Sequence, residues 1–283
     1  MKGIKMMDNF KLVTDSACEL DDDLIKFFDA ETVPFSMMLE NVNYIDDDHL
    51  DVRNFVKAMK QSKHVPKSAC PSPEAFAEKF RKAKNVFCTT ISSHLSGCYN
   101  SAMLAKEMVE QEGGHRVHIF DSWSATAGEI AICIKIKECI EAHMDYDAVV
   151  EKVTEFRNGM RTFFILESLD NLIKNGRMNK IVGYVASAMS LRPIMTAPGG
   201  EIKLFEKARG SVRAFTRLVE LIGECHKDFS DRTLVITHCN NERQASFIKA
   251  EAQKLYNFKD ICVMPTRGLA SMYADDGGVV IAF

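Results

Sequence analysis

Val86-Phe87-Cys88-Thr89-Thr90-Ile91-Ser92-Ser93-His94-Leu95-Ser96-Gly97-Cys98-Tyr99-Asn100-Ser101-Ala102 is an apolar run that gives way to hydroxyls. A Ser-Gly pair then opens a helical pattern that continues through Leu104 and Met108. The run predicts a buried strand and the following segment a helix with one apolar face. At such a junction the first amide groups of the helix lack intrahelical partners and point outward with the positive end of the helix dipole, which favours an anion. No Lys or Arg lies between Val86 and Met103. A weakly charged anion such as a carboxylate therefore suits this junction better than a polyphosphate, which usually brings a Lys or a longer Gly-rich loop. Ser96 is open to two readings: a hydroxyl for that anion, or a plain cap bonding an amide of its own helix.

Outward from this stretch, strands and helices alternate. Strands are expected at residues 10–13, 32–35, 86–91 and 117–120, and helices at 22–28, 52–62, 74–80, 99–109 and 125–142. That rhythm predicts an α/β fold whose first domain has a mostly parallel sheet flanked by helices. Ligands of such sheets sit at the carboxyl ends of the strands, the rim on which Asp15, Ser68, Ser96 and Asp121 are expected. Strand candidates resume at 162–166, 202–205, 233–237, 261–264 and 279–282, with helices at 183–190, 212–225 and 242–256. The soft boundary near Arg161, with no Pro/Gly/Ser-rich linker, predicts two α/β domains, residues 1–160 and 161–283.

Composition narrows the function classes. A net charge of −3 gives no reason to expect nucleic acid. Nine scattered Cys without a Cys-x-x-Cys pair point to reduced thiols. The N-terminus lacks the apolar core of a signal peptide and no stretch approaches a membrane span, so a cytoplasmic protein is expected. Charge is uneven: residues 1–60 sum to −6 and residues 161–232 to +4. A basic face on the second domain suits an acidic partner or, at most transiently, an anionic membrane surface; a solvated mixed-charge face is the plainer alternative.

Other chemistry is weighed against local explanations. Ser72 before Pro73 and Glu74 reads as a helix cap, whereas Ser68 precedes that turn and is free to face a crevice. Neither a Gly-x-Ser-x-Gly elbow nor a nucleotide-binding Gly motif is present, so no catalytic residue is assigned. His94, two residues before Ser96, reads as a loop His. In Asp46-Asp47-Asp48-His49 consecutive side chains point apart and Asp48 is expected to cap the next helix, so no metal is assigned. Asp21-Asp22-Asp23 is favourable charge at a helix start.

Several landmarks together resemble the DegV family of bacterial fatty-acid-binding proteins. Ser68-Ala69-Cys70-Pro71-Ser72 is similar to that family's Thr-Ser-Gln-Pro-Ser, and Ser92 to Tyr99 to its Ser-Ser-x-Leu-Ser-Gly-Thr-Tyr. Thr14-Asp15-Ser16, Asp121-Ser122, Leu169 to Arg177, Leu191-Arg192-Pro193-Ile194 and Lys207-Ala208-Arg209-Gly210 follow in the family's order, so the resemblance spans nearly the whole chain.

The resemblance implies two α/β domains with one long-chain fatty acid (palmitate, stearate or oleate in kind) held between them, and no cofactor. Its carboxylate would lie near Ser68, Ser96, Gly97 and Arg177. Arg177 has an alternative, pairing with an acidic neighbour such as Asp170. Asn175 replaces a family Gly and is expected to keep the turn through its tolerance of a left-handed backbone. Ala186 and Met189 are candidates for lining the acyl tunnel. The implied partner is a fatty acid kinase that phosphorylates the presented acid, with Lys207, Arg209 and Arg213 as docking candidates. The chain departs from the family where a C-terminal His meets the head group: no His follows His238, which leaves Ser271 or Tyr273 as substitutes. The runner-up function is a stand-alone enzyme acting on a small carboxylate or phosphate ester in the same crevice; a sensor of another amphiphile is a third.

Overall fold

The computed structural model describes residues 10–178 and 191–283. In the first half, β1 (Phe10–Asp15), β2 (Glu31–Val33), β6 (Asn85–Thr90) and β7 (Arg116–Asp121) form a four-stranded sheet in the order β2-β1-β6-β7, parallel throughout. Its strands are apolar on both faces because both are covered. One face carries α3 (Pro73–Phe80) and α4 (Cys98–Glu112) through Phe76, Phe80, Ala102 and Val109. The other meets α1 (Asp22–Phe28) and α5 (Ala127–Glu141).

A second sheet is built from β8 (Thr162–Ile165), β9 (Leu191–Thr196), β10 (Lys203–Arg209), β11 (Thr233–His238), β12 (Asp260–Pro265) and β13 (Val279–Ala282), ordered β10-β9-β8-β13-β11-β12. Only its β11–β12 pair is parallel. The outer face is covered by α8 (Ser211–Cys225) and α9 (Glu242–Leu255), whose apolar stripes include Leu218, Ile222, Ile248 and Ala252. The inner face rests on α5. The first two turns of that helix, Ala127 to Cys133, are buried all round, and Ile136 and Ile140 continue the buried face, with Leu12 and Phe87 of one sheet and Val235 and Ala282 of the other in the same core. A helix buried on all sides belongs between two layers, and this part of α5 is that shared layer.

The structure adds elements that the sequence pattern does not announce. A small antiparallel sheet, β4 (Val42–Ile45), β3 (Ser36–Leu39) and β5 (Lys67–Ala69), carries Ser68, and the helix expected at 52–62, α2 (Val52–Gln61), lies between its strands in sequence. Helices α6 (Tyr146–Gly159), α7 (Asp170–Lys174) and α10 (Gly268–Ala274) were also unassigned. The cap before α2 is Asp51, which accepts from the Asn54 amide at 3.0 Å; Asp48 instead pairs with Arg267 at 2.8 Å. The expected Ser72 cap is present, accepting from Ala75 at 3.3 Å. The helix expected at 183–190 lies outside the described residues.

Candidate functional site

A cavity of about 340 Å³ lies between the two sheets, within the range of about 300–1,000 Å³ usual for small-molecule sites. Its walls are mainly apolar, with Phe35, Phe164, Leu166, Leu172, Ile202 and Val280 among them. Ser68, Ser96, Gly97 and Arg177 all line it.

Short links hold these four at one end. The Gly97 Cα faces the Cys70 sulfur closely enough that an added Cβ would stand 3.6 Å from it. Arg177 Nε donates to the Leu95 carbonyl at 3.2 Å, next to Ser96. Asn175 Nδ2 donates to the Pro66 carbonyl at 3.1 Å and so ties the Arg177 turn to the strand bearing Ser68. Three segments far apart in sequence thus converge on one rim.

Ser96 satisfies both of its readings in part. Its Oγ accepts from the Cys98 amide at 3.1 Å, the first amide of α4, from one position before the N-cap Gly97, while its own O–H has no acceptor among the described residues. The same holds for the Gly97 amide and for Arg177 Nη2. Arg177 has no carboxylate partner among the described residues; Asp170 pairs with Lys174 at 2.9 Å, which removes the alternative given for Arg177. Its other donor, Nη1, bonds the Asn175 carbonyl. Asn175 itself sits at φ −92°, and Gly176 takes the left-handed conformation at φ +73°, so the turn survives without asking Asn175 to adopt it. Ser68 Oγ and Tyr273 Oη, both lining the cavity, are 3.0 Å apart. Ser271 is buried against Thr266 at 2.8 Å and does not line the cavity. One end of an apolar cavity therefore carries several unspent donors, an arrangement that suits a ligand with an acceptor head and an apolar tail.

Two expected rim residues are structural. Asp15 accepts from the Ala17 amide at 2.9 Å and the Ile91 amide at 2.8 Å, joining the ends of β1 and β6. Burial pushes its carboxyl up to about 6 against the lowering pull of those bonds. Asp121 accepts from the Ser93 amide at 3.0 Å and shapes the same loop. Neither lines the cavity. Neither Ser68 nor Ser96 is bonded to a His or a carboxylate among the described residues, and His94 lies on the exposed side. Also among the described residues, no group of three His, Cys, Asp or Glu could hold a metal, and all nine Cys are free thiols.

Sequence reasoning missed what holds the cavity wall. The carboxylate of Asp46 accepts from the Gly268 amide at 2.8 Å and the Leu269 amide at 2.9 Å, capping α10, which supplies Leu269, Ala270, Tyr273 and Ala274 to the lining. Burial raises the Asp46 carboxyl. An added Cβ at Gly268 would fall 2.4 Å from Leu50 Cδ2 and 2.6 Å from Asp46 Oδ1, so only Gly lets the acid approach this closely. Ser124 with Thr162 at 2.8 Å, and Thr126 with Thr237, join the two halves beside the cavity. Thr126 also forms a capping box with Glu129, for which the spacing Thr126-x-x-Glu129 was the available signal. Ala186 and Met189 lie outside the described residues. Lys207, Arg209 and Arg213 share an exposed groove beyond β10, away from the cavity, and none has an ion-pair partner among the described residues. Also among the described residues, no helix is long and apolar enough to cross a membrane.

Comparison with known proteins accords with this architecture. The model of the DegV family, described as uncharacterised protein, matches residues 9–283. A DegV domain-containing protein of Streptococcus pyogenes serotype M1 is 34% identical over 278 residues, covering 97% of this chain and 99% of its own. The crystal structure of a DegV family protein from Ruminococcus gnavus with vaccenic acid superposes with a TM-score of 0.93 at 33% identity, over 97% of this chain and 99% of that one. The Streptococcus pneumoniae fatty acid kinase B3 protein loaded with linoleic acid gives 0.90 at 29% identity, over 97% and 99%. With its parallel sheet, its second mixed sheet and the landmarks from Thr14 to Arg209 in place, the chain belongs to the DegV family.

Proposed function

We propose that this protein binds one long-chain fatty acid and presents its carboxylate to a separate kinase. The observation that carries the reading is the polarity of the cavity: mainly apolar walls, with Ser68, Ser96, the Gly97 amide and Arg177 gathered by short links on one rim. A buried carboxylate needs hydrogen bonds or a counter-charge to stay ionised, and these groups offer both. Solved relatives loaded with vaccenic, heptadecanoic and linoleic acids support the ligand class. The likeness to the fatty acid kinase B3 protein supports the role in presenting the acid.

Arg177 and Leu95 also border a second, outer hollow that includes His94 and Glu201, which gives a phosphoryl donor a direction of approach. Without a base on either serine, the phosphoryl transfer falls to the partner, and the exposed groove of Lys207, Arg209 and Arg213 is its proposed dock. In this reading residues 1–160 and 161–283 are the two domains, and both supply head-group contacts. The test is native mass spectrometry of protein purified from a bacterial host, followed by organic extraction. One fatty acid per chain is expected, and less of it on the Ser96→Ala/Arg177→Ala double variant. An empty protein that also refuses added fatty acids overturns the proposal.

A further inference from the structure

Not all of the cavity wall is apolar. Ser124 and Thr162 both line it, and their hydroxyl oxygens stand 2.8 Å apart, buried, with one supplied by each half of the chain. Two hydroxyls carry two protons, and their mutual bond uses one. The other has only the Ala125 carbonyl to go to among the described residues, 3.4 Å from Ser124 Oγ and at the long limit of a hydrogen bond. When Ser124 donates to Thr162 instead, the Thr162 proton is left without an acceptor beside the cavity. Thr126, also in the lining, forms a second such pair with Thr237, and the second proton of that pair has no acceptor among the described residues. A buried hydroxyl proton left unpaired is costly, so this wall favours a ligand that brings an oxygen to it.

The hydroxyls are held in place and lie away from the charged rim. The Ser124 carbonyl accepts from the Ser92 amide at 2.8 Å and from Ser122 Oγ at 3.0 Å, and the Thr162 carbonyl accepts from Thr196 Oγ1 at 2.9 Å. An added Cβ at Gly128 would fall 2.1 Å from Ser124 Oγ, so α5 leaves out a side chain where this hydroxyl sits. Thr162 opens β8, and Phe164 and Leu166 follow it along the cavity towards α7, the helix that leads into Arg177. At the rise of a strand, Thr162 stands about 13 Å from Leu166. A carboxylate near Arg177 therefore leaves this stretch of wall to the acyl chain.

We infer that Ser124 and Thr162, with Thr126 two residues on, form a second polar subsite that takes an oxygen in the middle of an acyl chain, so that hydroxy fatty acids are ligands of this protein. A chain hydroxyl accepts the spare proton and donates its own to a lone pair of the same two oxygens. The inference rests on the fatty-acid reading of the same cavity. The experiment measures binding of stearate, 10-hydroxystearate and 12-hydroxystearate to the full chain and to its Ser124→Ala/Thr162→Val double variant, which removes both hydroxyls together and orphans neither. In the wild type at least one hydroxy acid should bind within about fivefold of stearate, because its hydroxyl is paired. In the double variant that acid should lose roughly ten- to hundredfold relative to stearate, since its hydroxyl then meets an apolar wall, while stearate itself changes less than about threefold.

Wild-type binding of both hydroxy acids more than about fivefold weaker than stearate overturns the inference. So does a double variant in which the ratio of hydroxy acid to stearate moves by less than about tenfold. A parallel loss of all three acids is that case, and it marks the pair as a merely structural link between the halves. A wild-type chain that takes up none of the three fails the fatty-acid reading itself, an outcome distinct from the others. If the double variant does not fold, the wild-type ratio decides: parity within about fivefold supports the subsite and a larger deficit refutes it.

Discussion

Replacing Glu129 by Gln should stabilise this protein at alkaline pH and flatten the dependence of its stability on pH. Glu129 is fully buried in the first turn of α5, where its Oε1 accepts from the Thr126 amide at 3.1 Å and its Oε2 has no partner. Burial, and then the nearby carboxylates of Asp15 and Glu19, push its carboxyl well up. Glu19 is raised by burial despite accepting from the Arg267 amide, and the surrounding thiols Cys18 and Cys133 offer no counter-charge. The sign follows from linkage: acids whose folded pKa is raised bind protons more tightly when folded, so stability is full below about pH 4 and falls as pH rises through the folded values. For Asp15, raised from 3.8 to about 6, the loss accumulates between those two values. At about 1.4 kcal/mol per unit it reaches roughly 3 kcal/mol. Glu129 extends the decline to higher pH.

Gln keeps the acceptor for Thr126, supplies N–H groups where Oε2 has none to offer, and removes one of three crowded charges. The expected gain at pH 8 is on the order of 2 kcal/mol, or roughly 3 °C in Tm for a chain of this size. The assay is urea unfolding at pH 5, 6.5 and 8 for both proteins, with Glu129→Ala as the control that removes the Thr126 acceptor and opens a cavity. A Gln variant that is less stable than the wild type at pH 8, or that keeps the wild-type slope against pH, refutes the reasoning.

Gly268→Ala should destabilise the fold by roughly 2–4 kcal/mol, because the new methyl must displace Leu50 or the Asp46 carboxylate, and the same urea titration measures it. Ala274→Phe places a ring in the cavity from the end of α10 and should shift the bound acids towards shorter chains, read by mass spectrometry of extracted lipid. Reversing Lys207, Arg209 and Arg213 to Glu should leave fatty-acid affinity within about twofold while kinase-dependent phosphorylation of the bound acid falls and loses its salt sensitivity.

The parallel sheet was legible because strands covered on both faces read as short runs of apolar and β-branched residues, as at Val86 to Ile91. The small antiparallel sheet was not. Its strands are three or four residues long and partly exposed, as at Met38 and Val42, too short for a period to emerge. Its hairpin turns through Glu40 at φ +56°, where Asn or Gly would have signalled it. Helix α6 was hidden by Val149, Val150 and Val153, residues with weak helix preference that turn helical through packing on the core. At the site, Ser68, Ser96, Gly97 and Arg177 come from recognisable turns, and the fold gathers them in one cavity. Asp15 and Asp121 end their strands on the expected rim but bond backbone amides there, and an acid after a strand looks the same in sequence whether it bonds a ligand or the backbone. The pairing of Asp46 with α10 spans more than two hundred residues and leaves no local trace.

That long-range pairing explains why the cavity requires both halves of the chain. Asp46 and Glu19, from the first half, hold the amides of Gly268, Leu269 and Arg267 from the second, and these position the helix that carries Tyr273. Further polar links join the halves beside the cavity, the bonds of Arg177 to Leu95 and of Asn175 to Pro66 and hydroxyl pairs such as Ser124 with Thr162, each contributing on the order of 1 kcal/mol. The cavity of about 340 Å³ is lined mainly by apolar side chains drawn from both halves. An acyl chain bound there as proposed would touch side chains of both halves, so its binding should reinforce the joining of the two. Saturating oleate should therefore raise Tm in proportion to the logarithm of its concentration, while a short-chain acid, which covers less of the apolar wall, stabilises much less.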